Sequence, residues 1–303
     1  MARNVDSAFG AADIVSCEYQ FDDSKGWTPK FDCVLPDGEV VRVKYGDHNG
    51  EVFAEVAATR LLAALGFGAD HVSVVRAVHC FGCPPLPHPR WGELWNRLFR
   101  ARAGYREFDV AVVERPHVGT PVVSAGHKGW GWNELEVVAP ARGGAARAEV
   151  DALRLMAVFL AHWDNKPDNQ RLVCLDLPKQ VEDGCARPFA YIQDTGASFG
   201  PRRLDVESWR RITVWSDASS CRVSLASMPY EGGTFPEGVI SDGGRRFLAE
   251  RLGRLSRSQI RALFAGARVS AAPELSEASH DPEAWADAFL DRVRQIAEAG
   301  PCP

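Results

Sequence analysis

The stretch His162–Asn169, HWDNKPDN, directly follows an apolar run that has the spacing of a buried helix. We predict this helix over residues 146–161. Polar side chains carried at the end of a rigid element are typical of functional sites. Asp164 and Asn169 lie five residues apart, and in a loop that leaves a helix this spacing can direct both side chains into one cleft. Lys166 lies between them and could contact a transferring phosphate.

A second polar segment has the sequence DTGASFG and begins at Asp194. It follows a short apolar run, Phe189–Gln193, which predicts the second strand of a small hairpin. A carboxylate directly after a buried strand and beside glycines can reach a metal ion. Phosphoryl transfer requires a carboxylate near the acceptor hydroxyl and oxygen ligands for a metal nearby. Asp164, Asn169 and Asp194 together could supply these groups.

The first third of the chain predicts strands around one helix. Phe31–Leu35 and Glu39–Tyr45 are β-rich runs joined by a Pro-Asp-Gly turn, a pattern typical of a hairpin. Residues 51–65 have apolar residues at helical spacing, and the predicted helix ends at Gly66, a plausible C-cap. Two further strand-like runs follow, at His71–Val78 and Phe108–Val113.

The remaining elements define the predicted domain organisation. The region 80–107 is rich in proline and aromatic residues and is interpreted as an insertion, with a short helix near Glu93–Arg100. We predict an N-lobe over residues 1–118 and a C-lobe over residues 119–303. A strand-rich lobe followed by a helical lobe predicts a two-lobed α+β fold. The helices predicted in the last part of the chain span 242–252, 256–267 and 281–299.

One lysine and one glutamate in the N-lobe are candidates for a buried ion pair. Lys44 lies at the end of the second hairpin strand, and Glu55 is a carboxylate on the otherwise apolar face of the following helix. A buried charge without a partner is costly, so Glu55 should have one, and Lys44 is the natural choice. Glu51, one turn earlier, is the competing choice.

These motifs carry a family resemblance. HWDNKPDN resembles the catalytic loop HRDLKPEN of protein kinases, with His, Asp, Lys, Pro and Asn at the same spacing. DTGASFG is similar to their DFG metal-binding segment, with Thr195 in place of the phenylalanine. Together with the order of Lys44 and Glu55, the motifs resemble atypical members of the protein-kinase-like superfamily, namely HipA-like, phosphoinositide and Golgi secretory-pathway kinases. The resemblance implies a two-lobed protein-kinase-like fold.

The resemblance also implies a role for each residue. ATP would be the phosphate donor, with Mg²⁺ or Mn²⁺ as the metal. Lys44 would contact the α and β phosphates and would be held by Glu55. Asp164 would position or deprotonate the acceptor hydroxyl, with Lys166 beside the transferring phosphate. Asn169 and Asp194 would bind the metal, which neutralises charge developing on the phosphates.

The segment before the first hairpin strand, SKGWTPKF, resembles the phosphate-covering Gly-x-x-Pro-Lys segment of HipA-like kinases. Gly26, Thr28 and Lys30 could donate hydrogen bonds to nucleotide phosphates. Glu114 and Arg115 would lie at the hinge between the lobes, where backbone groups usually meet adenine. The sequence departs from ordinary protein kinases in having no G-x-G-x-x-G motif.

We expect His162 to have a structural role, in which it holds the catalytic loop by hydrogen bonds. A role as general base is not expected for this residue.

Composition limits the possible partners. The 303 residues are 46% hydrophobic and 25% charged, and the net charge of −5 with no basic stripe argues against nucleic-acid binding. No window reaches 18 apolar residues, and the N-terminus has no signal-peptide core, so we expect no membrane partner and a cytoplasmic location. The eight cysteines are then expected to be free thiols.

One Cys-x-x-Cys motif, formed by Cys80 and Cys83, leaves zinc, a disulfide or free thiols open. A structural zinc site needs four ligands, and His79 and His88 are the further candidates in sight. A zinc-stabilised binding module is therefore an alternative function. Within the kinase-like interpretation, an AMP-transferase or an inactive pseudokinase are the alternatives. No motif identifies the hydroxyl acceptor, which could be a protein or a small molecule.

Overall fold

The structure is a computed structural model that describes residues 9–21, 28–88, 104–123, 129–175, 185, 187–201, 204–229, 233–272 and 276–303. Gly26 and the short helix predicted near Glu93–Arg100 lie outside these residues. The described chain forms a strand-rich first lobe and a mainly helical second lobe, so the predicted α+β class and the two lobes are confirmed.

The first lobe is built on one seven-stranded sheet. Its strands are β1 (Ile14–Gln20), β2 (Lys30–Val34), β3 (Val40–Tyr45), β4 (His71–Val74), β5 (Ala77–Phe81), β6 (Tyr105–Phe108) and β7 (Ala111–Arg115), in the order β4-β7-β3-β2-β1-β5-β6. All neighbours are antiparallel except β1 and β5. The predicted hairpin is confirmed as β2–β3, with Lys30 directly opposite Lys44.

Helix α1 (Glu51–Ala64) confirms the predicted helix and packs against β3, β4 and β7. Its buried residues are apolar except for Glu51, Glu55 and Thr59, and Glu55 is fully buried. The helix ends at Gly66, whose positive φ of 78° lets the Phe67 N–H bond back to the Leu62 carbonyl oxygen. This arrangement is a Schellman-type ending, in which glycine avoids the steric cost of the left-handed backbone.

Two runs that were each predicted as one strand are in fact divided. The run His71–Val78 forms β4 and β5, which lie in different parts of the sheet, because the chain turns at Val75 and Arg76. Val74 and Val75 are both buried, so the two-residue alternation of a single strand is broken there. The run Phe108–Val113 is likewise divided between β6 and β7.

The second lobe contains helices α2 (Arg147–Leu160), α3 (Val206–Arg211), α4 (Asp242–Gly253), α5 (Arg257–Gly266) and α6 (Pro282–Glu298). It also contains a three-stranded sheet of β8 (Thr120–Pro121), β9 (Gln170–Cys174) and β10 (Pro188–Ile192), and the pair β11 (Arg222–Val223) and β12 (Gly238–Val239). The helices predicted at 146–161, 242–252, 256–267 and 281–299 are confirmed. None of the helices in the described ranges has the length and hydropathy that crossing a bilayer requires.

Arg292 of α6 fixes the end of α2. The side chain is fully buried and donates hydrogen bonds to the main-chain oxygens of Val158, Phe159, Trp209 and Ile212. Val158 and Phe159 belong to the last turn of α2, where carbonyl groups lack the partners of a regular helix. Arg292 adds to the bonds that these oxygens receive from the Ala161 N–H and from Trp209 Nε1. A cation at this position also faces the negative end of the helix dipole. Arg292, near the end of the chain, therefore holds the last turn of the helix that precedes HWDNKPDN.

The prediction that the cysteines are free thiols is wrong for six of them. Disulfides join Cys17 to Cys33, Cys174 to Cys185 and Cys221 to Cys302, whereas Cys80 and Cys83 are free. The pairings depend on which strands and loops become neighbours, and sequence spacing alone does not give that information.

Candidate active site

Lys44 lies at the centre of the site, at the contact between the first sheet, α1 and the second lobe. Its side chain is only 2% exposed, and its Nζ lies 2.7 Å from both carboxylate oxygens of Glu55. The ion pair predicted between these residues is therefore present. The same Nζ lies 3.3 Å from Glu114 Oε2 and 3.8 Å from Asp194 Oδ1. One ammonium group is thus surrounded by three carboxylates.

The charges of this cluster shift one another's pKa values. Burial lowers the pKa of Lys44, but Asp194, Glu114 and Glu55 outweigh burial and raise it well above its usual value. Burial raises the pKa of Glu55 despite the opposing charge of Lys44. For Asp194, burial acts upward, but the charges of Lys44 and Lys30 outweigh it and lower the pKa. The cluster carries more negative than positive charge, which favours binding of a further cation.

Glu114 is a member of this cluster that the sequence interpretation assigned only to a hinge. It lies in β7 and is buried, and the charges of Lys44 and Arg42 lower its pKa against the effect of burial. A signal was present in the sequence, because a glutamate that continues the apolar run Ala111–Val113 is expected to have a charged partner. Its neighbour Arg115 donates from Nε to Glu39 Oε2 at 3.1 Å.

The HWDNKPDN segment forms a compact loop after α2. Lys166 Nζ lies 2.9 Å from both carboxylate oxygens of Asp164, whose side chain is 29% exposed. The Asn169 amide nitrogen donates to the Asp164 carbonyl oxygen at 2.6 Å. The Asn169 carbonyl oxygen accepts hydrogen bonds from the backbone N–H groups of Gln193 at 2.9 Å and Asp194 at 3.1 Å. These bonds bring the segments that contain Asp164, Asn169 and Asp194 together, and the convergence of their side chains into one cleft stays a prediction.

The DTG segment turns tightly against α1. Asp194 Oδ1 accepts from the Gly196 N–H at 3.3 Å, and the Asp194 side chain keeps 30% of its surface exposed. A Cβ on Gly196 would lie 2.7 Å from Glu51 Cγ, so only glycine fits between this segment and the helix. Glu51, the competing partner for Lys44, thus packs against the DTG segment.

Backbone contacts lock the loop and the DTG segment together. The Phe199 N–H donates to the Leu160 carbonyl oxygen at 2.7 Å, and the Trp163 N–H donates to the Ala197 carbonyl oxygen at 3.1 Å. Gly129 lies directly against the loop, and a Cβ there would overlap the Pro167 carbonyl oxygen. The sequence interpretation missed Gly129, because close approach of two backbones leaves no signal other than an unexplained glycine.

His162 contacts the loop through its backbone, because its carbonyl oxygen accepts from Asn165 Nδ2 at 3.3 Å. The ring is fully buried, and neither ring nitrogen has a hydrogen-bond partner among the described residues. Burial lowers the pKa of His162 to about 4, although the charges of Asp194 and Asp164 act in the opposite direction. A neutral ring packs under the loop without requiring a charged partner.

The remaining predicted nucleotide contacts lie on one strand and its approach. Lys30 is buried at the start of β2, and its charge contributes to the lowered pKa of Asp194. Thr28 is partly buried and lies just ahead of this strand.

The Cys-x-x-Cys motif lies apart from this cluster. Cys80 is buried, and Cys83 is partly exposed. His79 contacts Glu107 at 2.8 Å, and His88 Nδ1 lies 3.4 Å from the Lys30 carbonyl oxygen. In the part of the chain that the structure describes, no group of three or more His, Cys, Asp or Glu residues is arranged to hold a metal. This gives no support to the zinc-stabilised alternative.

No protein-family model matches the sequence, and no curated protein matches it. Among solved structures, the chain is similar to the Helicobacter pylori proinflammatory kinase CtkA, with 12% identity, 96% of each chain covered and a TM-score of 0.48. It is also similar to the Golgi casein kinase, with 12% identity, a TM-score of 0.40, and 96% of this chain and 72% of that chain covered. A structure of the Golgi casein kinase with Mn/ADP bound gives a TM-score of 0.40 at 12% identity, with 96% of this chain and 74% of that chain covered. Because these TM-scores are below 0.5, the proposals that follow rest on the side chains of this chain.

Proposed function

We propose that the protein is an ATP-dependent phosphotransferase of the atypical kinase type, which transfers the γ-phosphate to a hydroxyl acceptor. The observation that carries the proposal is the position of Lys44, held 2.7 Å from Glu55 and 3.8 Å from Asp194. Asp194 is in turn bonded through its backbone to the loop that contains Asp164 and Asn169. Phosphoryl transfer depends mainly on such fixed charges, which position the phosphates and stabilise the transition state.

Lys44 supports binding of nucleotide phosphates because its position is fixed before any ligand arrives. Glu55 holds the ammonium with both carboxylate oxygens, so little side-chain entropy remains to be lost on binding. Lys30, directly opposite on the neighbouring strand, adds a second positive charge to the same region. With Thr28 beside it, Lys30 would contact the outer phosphates.

The residues around Asp194 fit a divalent cation. Mg²⁺ is bound in such sites by oxygen ligands, usually one or two carboxylates together with substrate phosphates. Asp194 is partly exposed, and Asn169 uses its amide nitrogen in a hydrogen bond, which leaves the amide oxygen for a cation. Asp194 and Asn169 would hold Mg²⁺ or Mn²⁺, and the bound ion would neutralise charge on the transferring phosphate.

Asp164 is the residue that would receive the acceptor hydroxyl. Its carboxylate is partly exposed and is oriented by Lys166, which contacts both oxygens. A hydroxyl bonded to Asp164 would be directed toward the phosphate, and Asp164 would accept its proton as the new bond forms. Lys166 lies close enough to place a positive charge beside the phosphate in transfer.

Matched variants of the loop test this function. Asp194→Asn and Asp164→Asn should each lower Mg²⁺-dependent release of ADP by at least about a hundredfold, since each removes a charge used in the transition state. Asp168→Asn, an exposed aspartate in the same loop, should keep the wild-type rate. The measurement is ADP release with purified protein and a panel of protein and small-molecule acceptors. Full activity in Asp194→Asn would overturn the proposal.

The alternatives give different products in the same assay. An AMP-transferase would release pyrophosphate, and a pseudokinase would bind nucleotide without releasing ADP. A zinc-stabilised binding module would contain stoichiometric zinc on metal analysis and would give no thermal shift with Mg²⁺ and ATP.

The three disulfides also bear on location. Disulfides persist in oxidising compartments and are rare in the cytosol, so they favour a site of action outside the reducing cytosol over the predicted cytoplasmic location. Counting thiols in denatured, unreduced protein from its native host tests this point. Two reactive thiols are expected if the disulfides form, and eight would support the cytoplasmic location.

A further inference from the structure

Asp70 is a buried carboxylate outside the cluster around Lys44. It directly precedes β4, and only 2% of its surface is exposed. Its Oδ1 accepts a hydrogen bond of 2.7 Å from the backbone N–H of His117, in the segment that connects β7 to β8. Asp70 therefore joins the first sheet to the chain that leads into the second lobe.

The second oxygen of Asp70 is buried without a hydrogen-bond partner among the described residues. Glu114 is its neighbour: His71 and Val72, which follow Asp70, pair with Arg115 and Glu114 of β7, and the carboxyl groups of Asp70 and Glu114 shift each other's pKa. Glu114 Oε2 lies 3.3 Å from Lys44 Nζ on its other side. Two ionised carboxylates side by side in a buried site repel each other, and a buried oxygen without a donor is costly. A single proton between them would remove both costs.

We propose that Asp70 is protonated in the folded protein and donates a hydrogen bond to Glu114. In this arrangement Asp70 is a positioning residue: it directs Glu114 toward Lys44 and holds the connecting segment at His117. One proton thereby gives the buried Asp70 Oδ2 a partner and removes the repulsion between the two carboxylates, while the other oxygen of Asp70 remains the acceptor for the His117 N–H.

The surroundings of Asp70 favour its neutral form. Burial and then the charge of Glu114 raise the pKa of Asp70 to about 8, although the His117 N–H and the Tyr191 hydroxyl act in the opposite direction. Lys44 lies beyond Glu114 and stabilises the ionised form of Glu114 rather than that of Asp70. Burial, and then the charges of His117 and Arg115, lower the pKa of the adjacent His71. The lowered pKa favours the neutral His71 ring, which adds no positive charge that would stabilise ionised Asp70.

The proton on Asp70 has a consequence for the nucleotide site, and this consequence rests on the proposed function. Ionisation of Asp70 would place a fourth carboxylate beside the cluster of Glu55, Glu114 and Asp194. Repulsion would then displace Glu114 from Lys44 and release the connecting segment. Because these groups border the proposed nucleotide site, we expect the KM for ATP to rise above about pH 8, with a smaller change in kcat.

Asp70→Asn tests the shared proton directly. Asparagine keeps the acceptor for the His117 N–H and supplies a permanent donor to Glu114, so the variant imitates protonated Asp70. The raised pKa means that the unfolded chain loses its proton near pH 4 and the folded chain only near pH 8, so wild-type stability falls across this interval. The Tm of Asp70→Asn relative to wild type should therefore rise between pH 5 and pH 8.

Two further variants complete the experiment. Asp109→Asn, an exposed aspartate of the same lobe, should follow the wild-type Tm at each pH. Asp70→Leu lacks both the donor and the acceptor and should be destabilised throughout the range. The proposal is overturned if Asp70→Asn follows wild type across pH, or if it is as unstable as Asp70→Leu. The Tm series decides this even if no nucleotide turnover is found, and the KM series for ATP then tests the link to the proposed function.

Discussion

The arrangement of three carboxylates around one ammonium predicts an asymmetry between Lys44→Met and Glu55→Gln. Lys44 Nζ lies 2.7 Å from Glu55, 3.3 Å from Glu114 and 3.8 Å from Asp194. Removing Lys44 leaves all three carboxylates without a cation within salt-bridge distance among the described residues, whereas removing the charge of Glu55 leaves Lys44 with two partners. The two substitutions therefore differ in their cost, although they break the same ion pair.

The expected magnitudes can be worked from these contacts. Removing one partner of a buried ion pair costs about 3–5 kcal/mol, because the other charge stays buried, and we expect this loss for Lys44→Met. A unit charge about 4 Å away contributes about 4 kcal/mol at an effective dielectric constant of about 20, so Glu114 and Asp194 can still compensate Lys44. Glu55→Gln keeps one acceptor oxygen for the ammonium and should cost about 0.5–1.5 kcal/mol.

Denaturation by urea measures both variants, with Arg254→Met as the control. Arg254 pairs with Glu250 at the surface, away from the cluster, so its loss should cost about 1 kcal/mol or less. Without Lys44, the carboxylates have raised pKa values in the folded state. Their destabilising effect is therefore absent below the unfolded pKa and grows as pH rises, so Lys44→Met should recover stability at about pH 5. Equal losses for Lys44→Met and Glu55→Gln would refute the reasoning.

Two further predictions concern the support of the catalytic loop. Arg292→Met removes the hydrogen bonds of a buried cation to four main-chain oxygens and should lower the free energy of unfolding by about 3 kcal/mol. The exposed Arg294→Met should change it by less than about 1 kcal/mol in the same urea titration, and equal effects would contradict the role given to Arg292. Gly129→Ala forces a Cβ into the Pro167 carbonyl oxygen and should lower both the Tm and ADP release, at a cost of about 1–3 kcal/mol. Gly253→Ala places its Cβ in open space and should leave both unchanged. An unchanged Tm in Gly129→Ala would show that the loop can shift freely.

Much of the site was predictable from the types of its residues and their order along the chain. Lys44 and Glu55 could be paired before the structure was known, since a carboxylate on an apolar helix face needs a partner. Asp164, Asn169 and Asp194 are joined by short backbone bonds that follow from a loop between a helix and a hairpin. The order of these residues along the chain was sufficient to predict these contacts.

The features that were missed depend on contacts between distant parts of the chain. Glu114 faces Lys44 only because β7 is the neighbour of β3, and the sequence does not reveal strand order. The disulfides depend on the same kind of information, and Cys17 and Cys33 meet because β1 pairs with β2. His162 bonds the loop through its carbonyl oxygen, while its buried ring has no hydrogen-bond partner among the described residues, a division that the sequence does not reveal.

The anchoring of α2 by Arg292 has a consequence for the order of folding. The hydrogen bonds from Arg292 to Phe159 and Val158 span 133 and 134 residues, so they can form only after a long loop has closed. Contacts of such large sequence separation are slow to form, because the entropy of loop closure must be lost before they contribute. The helix can form early, but its last turn receives the hydrogen bonds from Arg292 late. During refolding, recovery of the proposed ADP release should therefore lag behind recovery of helical circular dichroism.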